Sequence, residues 1–381
     1  MTRDFALVTS SMLIWGLGEG LFFYFHTIYL ETRFHADPVA IGAILGSMGL
    51  LLLVIQAPAG YLSDRVGRRP VMWAAWGLGL LSAWFMALAN SLPVFVAGYL
   101  VYGLTAFGMA PMNSYLAQAR GRMSVGRALT LAGAMYNLGT VIGPVAGGWM
   151  GQRFGLQRVY ITGCCILVIS MIIILFIKRQ PVEHASHLDS RAHLLRRPRF
   201  LGLLALILFA TFATYLPQPL TPNFMQNVRG LSLTEIGWLS TIGSLGNVIF
   251  MLVMGNVVSG FGFIFGQALV MVFALVVWRG SGFPWFAAGY IFVSGFRLCR
   301  IMGLALVRHQ VHQAEVGLAF GLFEMVNALT LMLAPILAGI LYDRSPVLVY
   351  PVSFVFILAS IIISLVMIKT KRGIAAQTVS E

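Results

Sequence analysis

Charged residues are scarce in this chain. Only 10% of its 381 residues are Asp, Glu, Lys or Arg, whereas 59% are hydrophobic, and a soluble domain normally carries charge on about a quarter of its residues. This scarcity excludes a water-soluble enzyme and predicts a protein embedded in a lipid bilayer. Because a spanning helix uses about 20 apolar residues, about twelve spans and short loops account for the length.

Cysteines and cofactor motifs are equally scarce. The three cysteines, Cys164, Cys165 and Cys299, lie in apolar stretches and provide neither a disulfide framework nor the spacing of a metal site. No G-x-x-x-x-G-K-S/T loop is present to hold nucleotide phosphates. We therefore expect no cofactor, no metal, no catalytic residue and no direct use of ATP. The formal net charge is +13, but the basic residues form no continuous stripe, which argues against a nucleic-acid partner.

Apolar runs predict an all-α polytopic membrane protein with 12 transmembrane helices in two pseudo-symmetric six-helix bundles. The first six runs cover about residues 5–30, 39–60, 70–89, 92–117, 127–149 and 157–177. The second six cover about residues 200–225, 232–255, 262–280, 284–307, 316–341 and 348–368.

A polar, basic stretch after Ile177 separates these two sets of runs. The predicted organisation is an N-terminal half at residues 1–177, a linker at 178–199, a C-terminal half at 200–370 and a tail at 371–381. Landmarks recur between the halves: GYLVYG at 98–103 returns as GYIFVSG at 289–295, and Pro144 returns as Pro335, both at an offset of 191 residues. Such parallel repeats occur in transporters.

Lys and Arg concentrate in the loops that are cytoplasmic when the N-terminus is inside. The positive-inside rule therefore places both termini and the linker in the cytoplasm, and the predicted location is the cell (inner) membrane.

A dense charged segment, GYLSDRVGRRP, joins the second and third runs. It resembles the loop signature of the major facilitator superfamily, G-x-L-x-D-R-x-G-R-R/K, at every fixed position. In that family the loop aspartate contacts the other half, so the resemblance implies that Asp64 and Arg65 gate transport. The alternative is that the cluster only sets topology. The gating candidates are Gly60, Asp64, Arg65, Gly67, Arg68 and Arg69.

The fifth run contains GTVIGPVAGG, where small residues permit close helix approach and a proline removes a backbone hydrogen bond. This string resembles the family's fifth-helix signature, G-x-x-x-G-P-x-x-G-G, which is characteristic of proton-coupled exporters, including drug antiporters, and implies outward transport. Packing alone is an equal explanation. A hinge or a tight helix crossing is expected at Gly139, Gly143, Pro144, Gly147 and Gly148.

Glu19 lies near the centre of the first run, where an ionised side chain costs about 2.5 to 3.5 kcal/mol on insertion scales. Trp15, Phe22 or Phe23, and His26 share its face at helical spacing. An acid flanked by aromatic surface predicts a group that carries the coupling proton or meets an amphipathic or cationic substrate. The alternative is a protonated, hydrogen-bonded Glu19 in a packed core.

The fourth run departs from the family pattern. Many antiporters of the superfamily have an arginine there, whereas Tyr99 and Tyr102 occupy these places in this chain. The family's proton path is therefore not transferable residue by residue, although both tyrosines remain candidates.

The second half contributes its own polar candidates. Arg300 and Glu324 have similar predicted depths and are expected to form an ion pair, while Arg297 is the candidate for an anionic group. In the seventh run, TYLPQPLTPN has three prolines that free backbone groups, which is tolerated beside a cavity; distortion at a loop end is an equal explanation. The side chains concerned are Tyr215, Gln218 and Asn223.

The resemblance implies a secondary active transporter that works by alternating access. We expect proton-coupled export of small amphipathic organic compounds, with protons and the lipid bilayer as partners and a monomer as the family default. The alternative is proton-coupled uptake of a polar or anionic metabolite or sugar, favoured by Arg297. Outside transport, a membrane sensor would be expected to show a sizeable soluble output domain, and none is visible.

Overall fold

The computed structural model describes residues 2–180, 194–254, 257–312 and 315–377, with the side chains of residues 56–65, 195 and 368–377 excepted. Within these ranges, twelve helical stretches are long and apolar enough to cross a membrane. This number confirms the all-α polytopic architecture expected from the apolar runs. Most of the predicted linker lies outside the described residues, and the last helix continues to Gln377, beyond the expected start of the tail.

The first half consists of six spans. Their bounds are Arg3–Phe34, Pro38–Val66, Arg68–Leu88, Leu92–Ala119, Val125–Phe154 and Leu156–Leu175. The second half supplies spans seven to twelve, and a short helix, Thr221–Asn227, follows the seventh. Their bounds are Pro198–Tyr215, Leu233–Met254, Ser259–Arg279, Phe283–Arg308, Val316–Arg344 and Val349–Gln377.

Several helices begin where the sequence supplies a cap. Asp37 precedes Pro38, and its carboxylate accepts a hydrogen bond of 2.7 Å from a backbone N–H of the second span. Ser232 and Glu235 form a capping box at the eighth span, because the Glu235 carboxylate accepts from the backbone N–H of Ser232 at 2.8 Å. These local signals place helix starts independently of tertiary packing.

The first and fourth spans of each half are interrupted. Turns of 3₁₀-helix occur at Phe23–Phe25, Thr105–Gly108 and Phe292–Ser294. The seventh span ends at Tyr215, and helix resumes at Thr221. Interruptions at equivalent places in both halves agree with the internal repeat, and non-helical backbone at membrane depth is tolerated where it is buried in protein or lines a cavity.

The seventh span is shorter than the apolar run predicted. It was expected to reach residue 225, but it ends ten residues earlier. Pro217 and Pro219 follow directly and carry no N–H, so neither can donate to the preceding helical turn. The three prolines therefore create a helix break, as the sequence suggested, and a separate short helix after it.

Helix neighbours repeat between the halves. The first span packs against the fifth and sixth, and the seventh packs against the eleventh and twelfth. The third span packs against the fourth and sixth, and the ninth packs against the tenth and twelfth. The two halves therefore share one internal arrangement as well as sequence landmarks.

The chain divides into two compact units. The first contains the six N-terminal spans together with Pro222–Thr241, and the second contains the seventh span and residues from 242 onward. Within the first unit, Asn223 donates to the carbonyl of Thr27 at 3.1 Å and to Glu31, and Asn227 donates to Glu31 at 2.7 Å. The predicted cavity residue Asn223 is therefore a contact to the first span.

Candidate functional site

A cavity of about 420 Å³ lies inside the first half. Five spans contribute to its wall, and most of the lining side chains are aromatic, methionine or aliphatic. Glu19 is the one Asp, Glu, Lys or Arg in this lining, as far as the described residues show. The principal wall residues are Met12, Trp15, Phe23, Met48, Trp76, Tyr102, Met109, Met112, Asn113 and Tyr136.

Two helices present regular faces to this cavity. The first span contributes Met12, Trp15, Glu19 and Phe23, at intervals of three or four residues. The fifth span contributes Leu129, Ala132, Gly133 and Tyr136, which also share one helical face. The fourth span contributes residues on both sides of its 3₁₀ turn, which agrees with the expectation that interrupted helices border cavities.

Glu19 is held by hydroxyl and indole groups. The Tyr136 hydroxyl donates to its Oε2 at 3.0 Å. Trp15 and Tyr102 are close enough to interact with the same carboxyl, and the Trp15 Nε1–H donates to the Tyr102 hydroxyl at 3.4 Å. The carboxyl therefore lies among aromatic rings, and the hydroxyl and indole N–H groups of these rings are close to it.

Hydrogen bonds and ring packing hold Trp76 and Trp15 in the aromatic wall. Trp76 donates through Nε1 to Ser11 Oγ at 3.0 Å and to Ser170 Oγ at 3.2 Å, and the two serines are themselves linked at 2.8 Å. Trp15 packs edge-on against Trp76 with ring centroids 5.6 Å apart. These contacts fix the orientation of one cavity wall.

Glycines bring Glu19 and Tyr136 together. Side-chain carbons added at Gly139 or Gly147 would strike the backbone of the first span, and one added at Gly143 would lie 2.6 Å from the Cα of Gly20. The fifth-span string therefore forms a tight crossing with the first span. The helix around Pro144 stays continuous from Val125 to Phe154.

The other end of this motif contacts Pro222–Thr241. A side-chain carbon at Gly148 would strike the backbone of Leu233, and one at Gly237 would strike the carbonyl of Pro144. Thr241 donates to the carbonyl of Val141 at 2.6 Å. The motif thus packs on two sides, which accounts for the density of its small residues.

The predicted face of the first span is divided by its 3₁₀ turn. Trp15, Glu19 and Phe23 line the cavity as expected. Phe22 and His26 are buried instead, with exposed fractions of 0% and 2%, and both pack against Tyr160. The expectation of one continuous face was therefore wrong at His26, because the turn changes the angular position of the residues after it.

The tyrosine candidates of the fourth span also separate. Tyr102 lines the cavity beside Glu19, whereas Tyr99 lies behind it and packs edge-on against His26 at 5.4 Å. In the second unit, Tyr215 packs on Phe296 at 5.0 Å, and Gln218 donates to the carbonyl of Thr214 at 2.7 Å.

The second unit contains the expected ion pair. Arg300 Nη2 lies 2.8 Å from Glu324 Oε2 and 3.0 Å from Oε1, and Asn327 lies beside both groups. The side chains are 43% and 33% exposed, so the pair is partly open rather than enclosed. Arg297, one turn away on the same span, is exposed.

The loop signature is described in part. The side chains of residues 56–65 lie outside those that the structure describes, so the gating roles of Asp64 and Arg65 stay predictions. Gly67 has a φ of 92°, a conformation that favours glycine in this tight turn. Arg68 donates to Gln118 at 2.9 Å, and the Arg69 guanidinium lies 4.0 Å from the centre of the Trp73 ring.

Sequence reasoning missed Tyr136, Asn113 and Trp76. Asn113 is a polar residue within a span, which is a signal for a cavity position. Tyr136 follows Leu129 and Ala132 at helical spacing, but nothing in that pattern distinguishes a cavity face from a core face.

The comparisons with known proteins agree with this architecture. A sequence profile described as Major Facilitator Superfamily matches residues 7–262 and 203–377. The chain belongs to the Major Facilitator Superfamily. It is therefore a multi-pass membrane transporter of that superfamily and not an enzyme.

Curated relatives in the family are tetracycline resistance proteins. The class G protein of Vibrio anguillarum is 35% identical over 146 residues, which are 37% of this chain and 37% of that protein. The class B protein of Escherichia coli is 21% identical over 320 residues, which are 80% of this chain and 79% of that protein. The more similar match thus spans little more than a third of the relative.

Solved structures show the same fold. The nucleoside transporter NupG matches with a TM-score of 0.81 at 15% identity, covering 96% of this chain and 98% of that chain. A POT family transporter in complex with 5-aminolevulinic acid matches with a TM-score of 0.79 at 12% identity, covering 97% of this chain and 96% of that chain.

Proposed function

We propose that this transporter exports small amphipathic organic compounds in exchange for protons. The observation that carries the proposal is the cavity of the first half, where one carboxyl, Glu19, stands in a wall of aromatic and methionine side chains. Flat aromatic faces and polarisable thioethers accept varied apolar shapes, and a carboxylate adds attraction for a cation or a place for a proton.

The size and polarity of the cavity fit such a substrate. A volume of about 420 Å³ lies within the usual range for small-molecule sites, about 300 to 1,000 Å³. The Glu19 carboxyl either holds a proton or, when ionised, attracts a cationic substrate. Binding of the proton therefore favours release of the substrate, and binding of the substrate favours release of the proton. The tetracycline resistance relatives fit removal of a compound from the cell.

The proposed setting is the cell membrane, with both termini and the linker at the cytoplasmic face. The basic residues of the loops support this orientation. The proposed organisation has halves at residues 1–177 and 200–370, a linker at 178–199 and a monomeric protein. Asp64 and Arg65 are the proposed gating residues.

A second candidate function is uptake of a polar or anionic metabolite or sugar. Its support is the exposed Arg297 on the tenth span, next to the partly open pair of Arg300 and Glu324. A guanidinium at membrane depth in a transporter suits an anionic group.

Proton movement in proteoliposomes distinguishes the two functions. Under an imposed pH gradient, we expect tetraphenylphosphonium to drive proton release with the unmodified protein and not with Glu19→Gln. Asp343→Asn, which changes an exposed carboxylate at the end of the eleventh span, should behave as the unmodified protein. Responses to organic anions or sugars alone, independent of Glu19, would instead establish the uptake function and make Arg297 the site to test.

A further inference from the structure

The second half contains a cluster of polar side chains that cation export does not use. Its members are Arg300, Glu324 and Asn327, and Arg297 lies one turn deeper in the tenth span. Arg300 is eight residues from the end of this span at Arg308, or about 12 Å along a helix. Because charged groups are costly at such depth, they usually face a cavity or a substrate path.

The geometry of the Arg300–Glu324 pair leaves part of the guanidinium available. Both oxygens of Glu324 accept from the same nitrogen, Nη2, at 3.0 and 2.8 Å. The other terminal nitrogen, Nη1, makes no hydrogen bond with the described residues. Since a guanidinium carries five N–H donors, Arg300 has donors left for the oxygens of a ligand.

A second pair in the same half has the opposite arrangement. Arg197 and Glu315 meet through two parallel hydrogen bonds, Nη1 to Oε2 at 3.1 Å and Nη2 to Oε1 at 2.9 Å. This fork-to-fork geometry uses both terminal nitrogens. The two arginine side chains are equally exposed, at 42% and 43%, but that of Glu315 is 11% exposed and that of Glu324 33%. Arg197 is therefore committed to its partner, whereas Arg300 is not.

The internal repeat shows which face of the tenth span carries Arg300. After the 3₁₀ turns, the buried residues of the fourth span recur in the tenth at an offset of 187 residues. The matched sets are Pro111, Met112, Tyr115 and Leu116 in the fourth span and Leu298, Cys299, Met302 and Gly303 in the tenth. The offset before the turns is 191, and the difference of four residues is about one helical turn. In this register Arg300 corresponds to Asn113, which lines the cavity of the first half.

The eleventh span repeats the fifth at an offset of 191 residues, as their prolines show. Glu324 therefore corresponds to Gly133, and Asn327 corresponds to Tyr136. Both counterparts line the cavity of the first half. All three members of the cluster thus occupy positions that form cavity wall in the other half, and they do so with different chemistry.

The charge and the apolar surface of this face together define a ligand class. Arg297, Arg300 and Glu324 supply two guanidinium groups and one carboxylate, a net charge of +1. Phe296, four residues before Arg300 on the helix, packs on Tyr215 with ring centroids 5.0 Å apart. A single negative charge joined to a flat apolar body complements these groups.

We propose that the second half has its own binding site for an amphipathic monoanion of the aromatic carboxylate class. Arg300, through Nη1, and Arg297 donate to the carboxylate oxygens, and the Phe296 ring packs against the apolar body. Glu324 holds Arg300 in place and limits affinity, because its negative charge lies beside that of the ligand. The site deepens the second candidate function, uptake of an anionic compound, and does not depend on Glu19.

Equilibrium binding of radiolabelled 2-naphthoate tests the site in the purified protein, reconstituted in nanodiscs of phosphatidylcholine. We expect saturable binding that unlabelled benzoate displaces and that 2-naphthamide, the neutral analogue, does not. Arg300→Gln should weaken binding about tenfold or more, since it removes a charge-assisted hydrogen bond. Glu324→Gln should strengthen binding about twofold to fivefold, because the competing charge is lost.

Arg308→Gln is the matched control. Arg308 is an exposed arginine of the same span whose Nη1 donates to the carbonyl of Val311 at 3.3 Å, and its loss should leave 2-naphthoate affinity unchanged. Binding of tetraphenylphosphonium should persist in Arg300→Gln, which shows that the variant is folded. If Arg300→Gln alone does not fold, the double variant Arg300→Gln, Glu324→Gln leaves no unpaired carboxylate and should show the same weak naphthoate binding.

The outcomes separate this site from the proposed export. Absence of saturable 2-naphthoate binding, equal affinity in Arg300→Gln and Arg308→Gln, or weaker binding in Glu324→Gln would each overturn the anion site. Naphthoate binding that Arg300→Gln weakens, together with no proton release on addition of tetraphenylphosphonium to the unmodified protein, would overturn the export proposal alone.

Discussion

Replacing Gly143 by alanine tests whether the close crossing of the first and fifth spans holds the first half together. The added carbon would lie 2.6 Å from the Cα of Gly20 and 2.8 Å from the backbone N of Leu21. Both contacts are with backbone, so no side chain can rotate away. The two helices would have to separate at the point where Tyr136 reaches Glu19.

The expected cost combines two opposing terms. Overpacking of a well-packed interior costs about 1 to 3 kcal/mol, while exchanging glycine for alanine within a helix gains about 0.5 to 1 kcal/mol. From the middle of the two ranges, we therefore expect Gly143→Ala to be destabilised by about 1 kcal/mol. Gly133→Ala is the matched control in the same helix, because nothing lies within 4 Å of the added carbon.

Unfolding of the purified variants in detergent micelles measures the difference. Gly133→Ala should be as stable as the unmodified protein or slightly more stable, because alanine favours the helix over glycine and the added carbon meets no neighbour. Gly143→Ala should melt at a lower temperature than both. A Gly143→Ala protein as stable as Gly133→Ala would refute the argument that backbone contact at this crossing requires glycine.

Three further variants test individual contacts. Tyr136→Phe removes the 3.0 Å donor to Glu19, and because a hydrogen bond to a charged group contributes about 1.5 to 3 kcal/mol, gradient-driven transport in proteoliposomes should fall about tenfold or more. A double-mutant cycle of Arg300→Gln and Glu324→Gln, followed by thermal unfolding, should give a coupling of about 1 kcal/mol or less, since both side chains are partly exposed. Asn223→Ala removes a 1% exposed carboxamide and should destabilise the protein by about 1 to 3 kcal/mol.

Each of these expectations has a contradicting result. Transport by Tyr136→Phe at the unmodified rate would show that the hydroxyl does not support the function of Glu19. A coupling of several kcal/mol between Arg300 and Glu324 would mean that the pair is enclosed rather than partly open. An unchanged melting temperature for Asn223→Ala would mean that its contacts to the first span add no stability.

Much of the fold follows from the sequence because solvent composition and helix length dictate it. A chain with few charges and repeated apolar runs must bury its backbone polar groups in helices that cross the bilayer, and the number of runs equals the number of spans. The glycines of the fifth span were also informative, because only small residues permit backbone contact between helices. Their string indicated a hinge or a tight crossing, and the structure shows a crossing whose partner is the first span.

The composition of the cavity was predictable only in part. Glu19 was found because a charged residue within a span needs a cavity or a partner. Trp15 was found because it shares the face of Glu19 at helical spacing, and Tyr102 because it occupies a place in the fourth-span pattern of many antiporters. Tyr136 was missed, since its helical spacing is equally suitable for a packed core and its hydroxyl meets Glu19 only through the crossing at Gly143. The helix break after Tyr215 was indicated by prolines, but the contact between Asn223 and the first span was not.

Sequence periodicity determined the spans. It also determined one face of the first span, as far as the regular α-helix extends, which is to Phe22. Beyond it, the 3₁₀ turn at Phe23–Phe25 changes the angle between successive residues, which an argument from 3.6 residues per turn cannot anticipate. That turn leaves Phe23 in the cavity wall and moves His26 to the side of the span where Phe22 packs against Tyr160. The sequence alone therefore determined which residues are polar and at what depth, whereas tertiary packing decided which of them share a cavity, because the direction of a side chain depends on the local backbone and on the neighbouring helices.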